Sequence, residues 1–187
     1  IRRQRQMCIR DSTNYPTAEL FINGKSYGKQ SKNNSSLKSR YRLMWMDAVY
    51  EPGEVKVVAY NKDGKAVAEK TVRTAGKPHH IELVSNRNEL TADGKDLAYV
   101  TVKVVDKDGN LCPTDSRLIH FSVKGAGKFR AVANGDPTNL EQFHLPKMHA
   151  FHGMLTAIVQ AGEIAGDLVL TAKASGVKTG TVHLQAK

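Results

Sequence analysis

The sequence predicts an all-β fold: two tandem immunoglobulin-like antiparallel β-sandwich domains, the first truncated. Three observations carry that expectation. Apolar and polar residues alternate in short runs along the whole chain, the two-residue period of a half-buried strand. Three Asp-Gly steps, at Asp63-Gly64, Asp93-Gly94 and Asp108-Gly109, punctuate those runs, and such steps supply the positive φ angles of tight hairpins. Helical periodicity is almost entirely missing.

Thr17–Ile22 reads as a strand, Asn23-Gly24 as a tight turn, and Ser26-Tyr27-Gly28 as the start of a return strand. Residues 30–39 are polar and read as a loop. Alternation resumes over residues 40–45, placing Tyr41, Leu43 and Trp45 on one face. Glu51-Pro52-Gly53 then turns the chain into a hairpin of residues 54–60 and 65–72 around Asp63-Gly64. This set is short for a sandwich, so residues 13–74 read as an incomplete domain. Residues 75–78, with Gly76 and Pro78, read as a linker.

Residues 79–187 form a fresh series. Strands are expected at 80–84, near Leu90, and at 97–105, where Val100, Val102 and Val104 oppose Tyr99, Thr101 and Lys103. Others are expected at 118–123, 128–133, 154–159, 167–173 and 178–184. Short strands with turns at regular intervals argue an immunoglobulin-like sandwich.

The opening stretch, residues 1–12, differs in character and resembles the translation of a sequencing adapter read into an assembled gene. It is expected to lie outside the fold, the alternative being a natural basic arm without fixed structure. On the first reading the true upstream sequence is missing. The opening has no apolar core or small-residue cleavage site and is not a signal peptide.

Four Arg and one Asp in that stretch supply three of the ten net positive charges, leaving about +7. The remaining lysines, such as Lys62, Lys65, Lys70, Lys103 and Lys107, are scattered over predicted strands and turns. A solvated sheet surface that discourages edge pairing explains them. Nucleic acid is not an expected partner, since its footprint clusters basic residues with aromatics and aromatic content is only 6%. No run reaches the roughly 18 to 20 apolar residues of a membrane span. Cys8 and Cys112 suggest neither a disulfide nor a zinc site.

Several segments, in order, resemble a known family. Residues 19–29, Trp45 and residues 50–60 are similar to the β-sandwich that follows the catalytic barrel in bacterial glycoside hydrolase family 2 enzymes, often β-galactosidases. Residues 73–78 resemble its exit into the next domain. Residues 90–97, 100–106 and 134–138 resemble the family's C-terminal sandwich. The resemblance implies a parent enzyme that hydrolyses terminal β-glycosidic bonds with retention, using two glutamates on a (β/α)₈ barrel. Such a pair must stand about 5 Å apart across the scissile bond. No barrel sequence occurs here, so no catalytic residue can be assigned to any position, and neither a cofactor nor a metal is expected.

The implied partners are the catalytic barrel of the same polypeptide, a carbohydrate, and further copies through the parent enzyme. Export to the bacterial periplasm or outside the cell is implied, and a cytoplasmic location is also compatible. The rival readings are an immunoglobulin-like repeat of a surface adhesin, suggested by residues 92–100, and a carbohydrate-binding module.

Within the chain, the irregular stretch Asn134–Gly153 holds Asp136, Glu141, His144, His149 and His152. One reading makes it a sugar, metal or interdomain contact, with Asn134, Asp136 and His149 as candidates. The other makes Asp136-Pro137-Thr138 a capped turn, with Phe143, Leu145 and Phe151 plugging a sandwich end. Trp45, with Tyr41 and Tyr27, is either a sugar-stacking platform or core. Glu51 and Glu54 around Pro52-Gly53 read as an ordinary turn, and His79-His80 as a strand entry. Ser116, Ser122 and Cys112 lack a nucleophile context.

Overall fold

The computed structural model describes residues 6–187, with side chains from Cys8 onward. Every regular element among them is a strand, so none is a helix long and apolar enough to cross a membrane. The chain divides into two compact units, the first ending at Thr74 and the second running from Ala75 to Lys187.

In the first unit, β2 (Thr17–Ile22), β3 (Lys25–Ser31), β5 (Glu54–Tyr60) and β6 (Ala66–Arg73) form an antiparallel sheet of order β3-β2-β5-β6. A second sheet pairs β1 (Gln6–Asp11) with β4 (Leu43–Val49). Alternation on β2 buries Ala18, Leu20 and Ile22, which join Ala59 and the β4 residues Leu43, Trp45 and Ala48 in one core. Asn23 and Gly24 both take positive φ, at 49° and 81°, as a two-residue hairpin requires. The Asn23 side chain also ties the turn to β5, accepting from Glu54 N–H at 2.8 Å and donating to the Pro52 carbonyl at 3.2 Å.

Two expectations fail here. Residues 1–12 do not all lie outside the fold: Gln6–Asp11 runs antiparallel to β4, with Ile9 opposite Trp45 and Asp11 opposite Leu43. The margin of β4 presents unpaired backbone groups that an extended segment can satisfy, and Ile9 packs against the core. For Ile1–Arg5 the expectation lies outside the described residues. Tyr41 does not share a strand face with Leu43 and Trp45, because β4 begins only at Leu43 and Tyr41 is exposed ahead of it.

The second unit is a sandwich of nine strands: β7 (His80–Ser85), β8 (Glu89–Leu90), β9 (Leu97–Val105), β10 (Leu118–Gly125), β11 (Gly127–Ala133), β12 (Lys147–His149), β13 (Met154–Ala161), β14 (Gly166–Lys173) and β15 (Gly180–Ala186). One sheet has the order β11-β13-β9-β7 and the other β12-β10-β14-β15-β8. Val100, Val102 and Val104 of β9 are fully buried, facing Ile119, Leu168 and Leu170 from the opposing sheet. Pairing is antiparallel except where β8 runs parallel to β15, Leu90 opposite Ala186. This places β15 between β14 and β8.

Two Asp-Gly steps make the expected reversal. Asp63-Gly64 joins the neighbours β5 and β6. Asp108-Gly109 folds Leu111 back antiparallel to Val105, with Asp106 N–H on the Asn110 carbonyl and Cys112 N–H on the Val104 carbonyl, each at 2.9 Å. Asp93-Gly94 instead leads from β8 to β9 in the other sheet, and beyond Leu111 the chain passes on to β10, again changing sheets. Gly94 and Gly109 hold the anticipated positive φ, 71° and 82°. The dipeptide specifies the local bend, while burial of the next strand's apolar face decides which sheet receives it.

Replacing Leu170, which is fully buried, with Ala should destabilise the second unit by about 2–5 kcal/mol. Leu140→Ala, at a side chain 97% exposed, should stay within about 0.5 kcal/mol. Urea unfolding followed by circular dichroism measures both.

Candidate functional site

The polar stretch between β11 and β12 forms a strap along one side of the second sandwich. Val132 on β11 donates its N–H to the Phe143 carbonyl, and Phe121 on β10 donates to the Pro146 carbonyl, each at 2.8 Å. Since β11 and β10 belong to opposite sheets, the strap bridges them. Side chains hold its bends by the local hydrogen bonding that Asn and Asp favour. Asn134 Oδ1 accepts from Asp136 N–H at 3.0 Å, and Asn134 Nδ2 donates to the His149 carbonyl at 2.9 Å. Asp136 Oδ1 accepts from Thr138 N–H at 2.9 Å and Thr138 Oγ1 at 2.8 Å.

Glu141 closes the strap. Its Oε2 accepts from His149 N–H at 3.1 Å, and its Oε1 lies 3.0 Å from His149 Nδ1. Partial burial pulls the Glu141 carboxyl upward, but His149's backbone and ring hydrogen bonds outweigh it and leave the pKa lowered. Asp136 is lowered by the Thr138 N–H and hydroxyl. The strap thus gathers Asn134, Asp136, Glu141 and His149, while His152, its Nδ1 3.2 Å from the Pro113 carbonyl, touches the group only through its charge on Asp136.

Of the three residues expected to plug the sandwich end, Phe151 is half-buried, while Phe143 and Leu145 are 57% and 36% exposed. Met148 and Ala150, which follow the strap in sequence, are buried in the core. Trp45 belongs to the first unit's core at 3% exposure, with Nε1–H donating to the Gly28 carbonyl at 2.8 Å. That burial leaves no ring face open to a pyranose, and Tyr27 packs against the same core. Glu54 pairs with Arg73 at 2.6 Å, and the His79 and His80 rings meet edge to face.

Sequence patterning missed the most heavily hydrogen-bonded acid. Asp106 is 2% exposed, and its Oδ2 accepts from Gly76 N–H at 2.7 Å. Its Oδ1 accepts from the N–H groups of Asp108 at 2.9 Å and Asn110 at 2.8 Å. The Gly76 bond and the Asn110 side chain hold its pKa far below the usual carboxylate range. Nearby, burial pushes the Cys112 thiol up. Asp115 and Arg117 form a fork at 2.6 Å that also reaches the Ser175 carbonyl. The only advance signal was Asp106 two residues before Asp108-Gly109, a spacing suited to capping a turn.

Glu19, Asp93, Asp96, Asp106, Asp115, Asp136 and Glu141 are all shifted downward, so each is held as a carboxylate. Glycoside hydrolysis needs one carboxyl raised to donate a proton to the leaving oxygen. Among the described residues, no group of three His, Cys, Asp or Glu side chains is placed to hold a metal ion.

Comparison with known proteins assigns the scaffold. Residues 81–183 match the family described as glycoside hydrolase family 2 C-terminal domain 5. The chain belongs to that family. Residues 9–68 match a domain of unknown function (DUF4982). A β-galactosidase of Bacteroides ovatus, BoGH2A, is 43% identical over 90% of this chain but only 19% of its own length. A β-galactosidase of Thermoanaerobacter pseudethanolicus is 30% identical over 86% of the chain and 21% of its own length. A crystal structure of a family 2 member from Bacteroides cellulosilyticus superposes with a TM-score of 0.87 at 31% identity, over 98% of this chain and 23% of that one. The chain therefore spans about a fifth of the length of these relatives. It corresponds to their C-terminal region, and the catalytic domain of such an enzyme lies outside it.

A depressed carboxylate stabilises the fold above its unfolded pKa, and this contribution is lost as pH falls toward the folded value. Because Asp106 is depressed, its contribution should be complete at neutral pH and decline only below about pH 4. Asp106→Asn should lower the melting temperature at pH 7 and make the acid-side decline shallower. Thermal scans from pH 7 to pH 2 compare the two.

Proposed function

We propose that this chain is the non-catalytic C-terminal accessory region of a retaining, β-galactosidase-like glycoside hydrolase that cleaves terminal β-glycosidic bonds. The observation that carries the reading is the family match over residues 81–183 in a chain spanning about a fifth of its relatives' length. The carboxylates of Asp106, Asp115, Asp136 and Glu141, all engaged in hydrogen bonds that hold turns and strap together, fit a scaffold. On this reading the two units, with their boundary near residues 75–78, pack against the catalytic barrel of the same polypeptide. They also support assembly of the parent enzyme into oligomers and its contact with carbohydrate. The parent enzyme acts in the periplasm or outside the cell, which fractionation of the source cells tests.

The purified 187-residue chain should leave p-nitrophenyl β-galactoside unhydrolysed, while the polypeptide extended to include the upstream region should release nitrophenol. Turnover by the short chain at enzyme-like rates, or none by the extended one with either galactoside or glucuronide, overturns the assignment.

A further inference from the structure

The strap offers apolar side chains to solvent from a backbone that is fixed. Leu140 is 97%, Phe143 57% and Leu145 36% exposed, all within six residues. One exposed leucine is ordinary, but neighbouring large apolar groups form a patch of the kind found at interaction sites. A loose loop would fold such groups inward. This one is held out by the Phe143 carbonyl on β11, by Asn134 on the His149 carbonyl, and by Glu141 on His149. Fixing a surface in advance reduces the ordering cost of binding.

We propose that Leu140, Phe143 and Leu145 form the docking surface on which this unit seats against the catalytic portion of its own polypeptide; this rests on the accessory-region reading above. The occupant follows from length. The chain makes up 19% of the Bacteroides ovatus relative and 23% of the Bacteroides cellulosilyticus structure, so most of such an enzyme lies outside it and within covalent reach. A tethered partner is presented at high effective concentration, so a small apolar patch suffices where two free molecules would need a larger one. The chemistry is equally specific. The carboxylates of Asp136 and Glu141 are already engaged within the strap, so between the exposed Gln142 and His144 it presents the uncharged hydrocarbon of Leu140, Phe143 and Leu145. The matching surface is an apolar hollow on the upstream region.

Hydrogen–deuterium exchange of the 187-residue chain and of the upstream-extended polypeptide tests this. Amides of residues 139–145 should exchange at least about tenfold more slowly in the extended form. The double variant Leu140→Asp, Phe143→Asp should abolish that protection. It should leave the melting temperature of the short chain unchanged, because both side chains are exposed there. Equal exchange in the two forms overturns the docking surface, even if the extended form hydrolyses nitrophenyl glycosides and so upholds the accessory reading. Concentration-dependent dimerisation of the short chain that the double variant removes also overturns it, by assigning the surface to a second copy.

Discussion

Backbone N–H and C=O groups along the margins of these sheets must find partners or water, and that requirement organises much of the molecule. In the first unit the margin of β4 is covered by Gln6–Asp11. In the second, β11 ends one sheet, and the strap lends it the Phe143 carbonyl. On the facing sheet, the three-residue strand β12 covers β10. The strap's polar composition, which reads in isolation like a ligand site, follows from this role. Asn134, Asp136 and Glu141 bend and fasten a segment that must cross between two layers without regular pairing.

Where burial alternated strictly, the sequence was transparent. Val100, Val102 and Val104 against Tyr99, Thr101 and Lys103 mark β9 without ambiguity, because a slip of one residue would put three valines in water. Sheet membership was not legible. Asp93-Gly94 and Asp63-Gly64 look alike in sequence, yet one changes sheets and the other closes a hairpin. Both place the glycine at positive φ, 77° at Gly64 and 71° at Gly94, and the sheet each next strand joins is decided by partners far along the chain.

The candidate site was legible in composition and not in orientation. Asn134, Asp136 and His149 do converge, joined by Glu141. The exposure of Phe143 and Leu145 could not be foreseen from their apolar character, which marks Met148 and Ala150, both buried, equally. Asp106 escaped notice because its importance comes from Gly76, thirty positions earlier. Relatives over nearly the same span include both β-galactosidases and a Formosa agariphila β-glucuronidase. Similar scaffolding thus accompanies different substrates, as expected when chemistry is grafted elsewhere on a fold.

The position of β15 sets a timetable for synthesis. Because this strand lies between β14 and β8, β8 has no lateral neighbour in its sheet until residues up to Ala186 have been made. A ribosome emits the chain from its N-terminus, so residues 6–74 emerge well before β15 reaches its place in the second unit. A nascent polypeptide stalled before Val182 carries an open flank, with Leu168 and Leu170 lacking their Leu184 and Val182 neighbours, ready for chaperones or for misassociation.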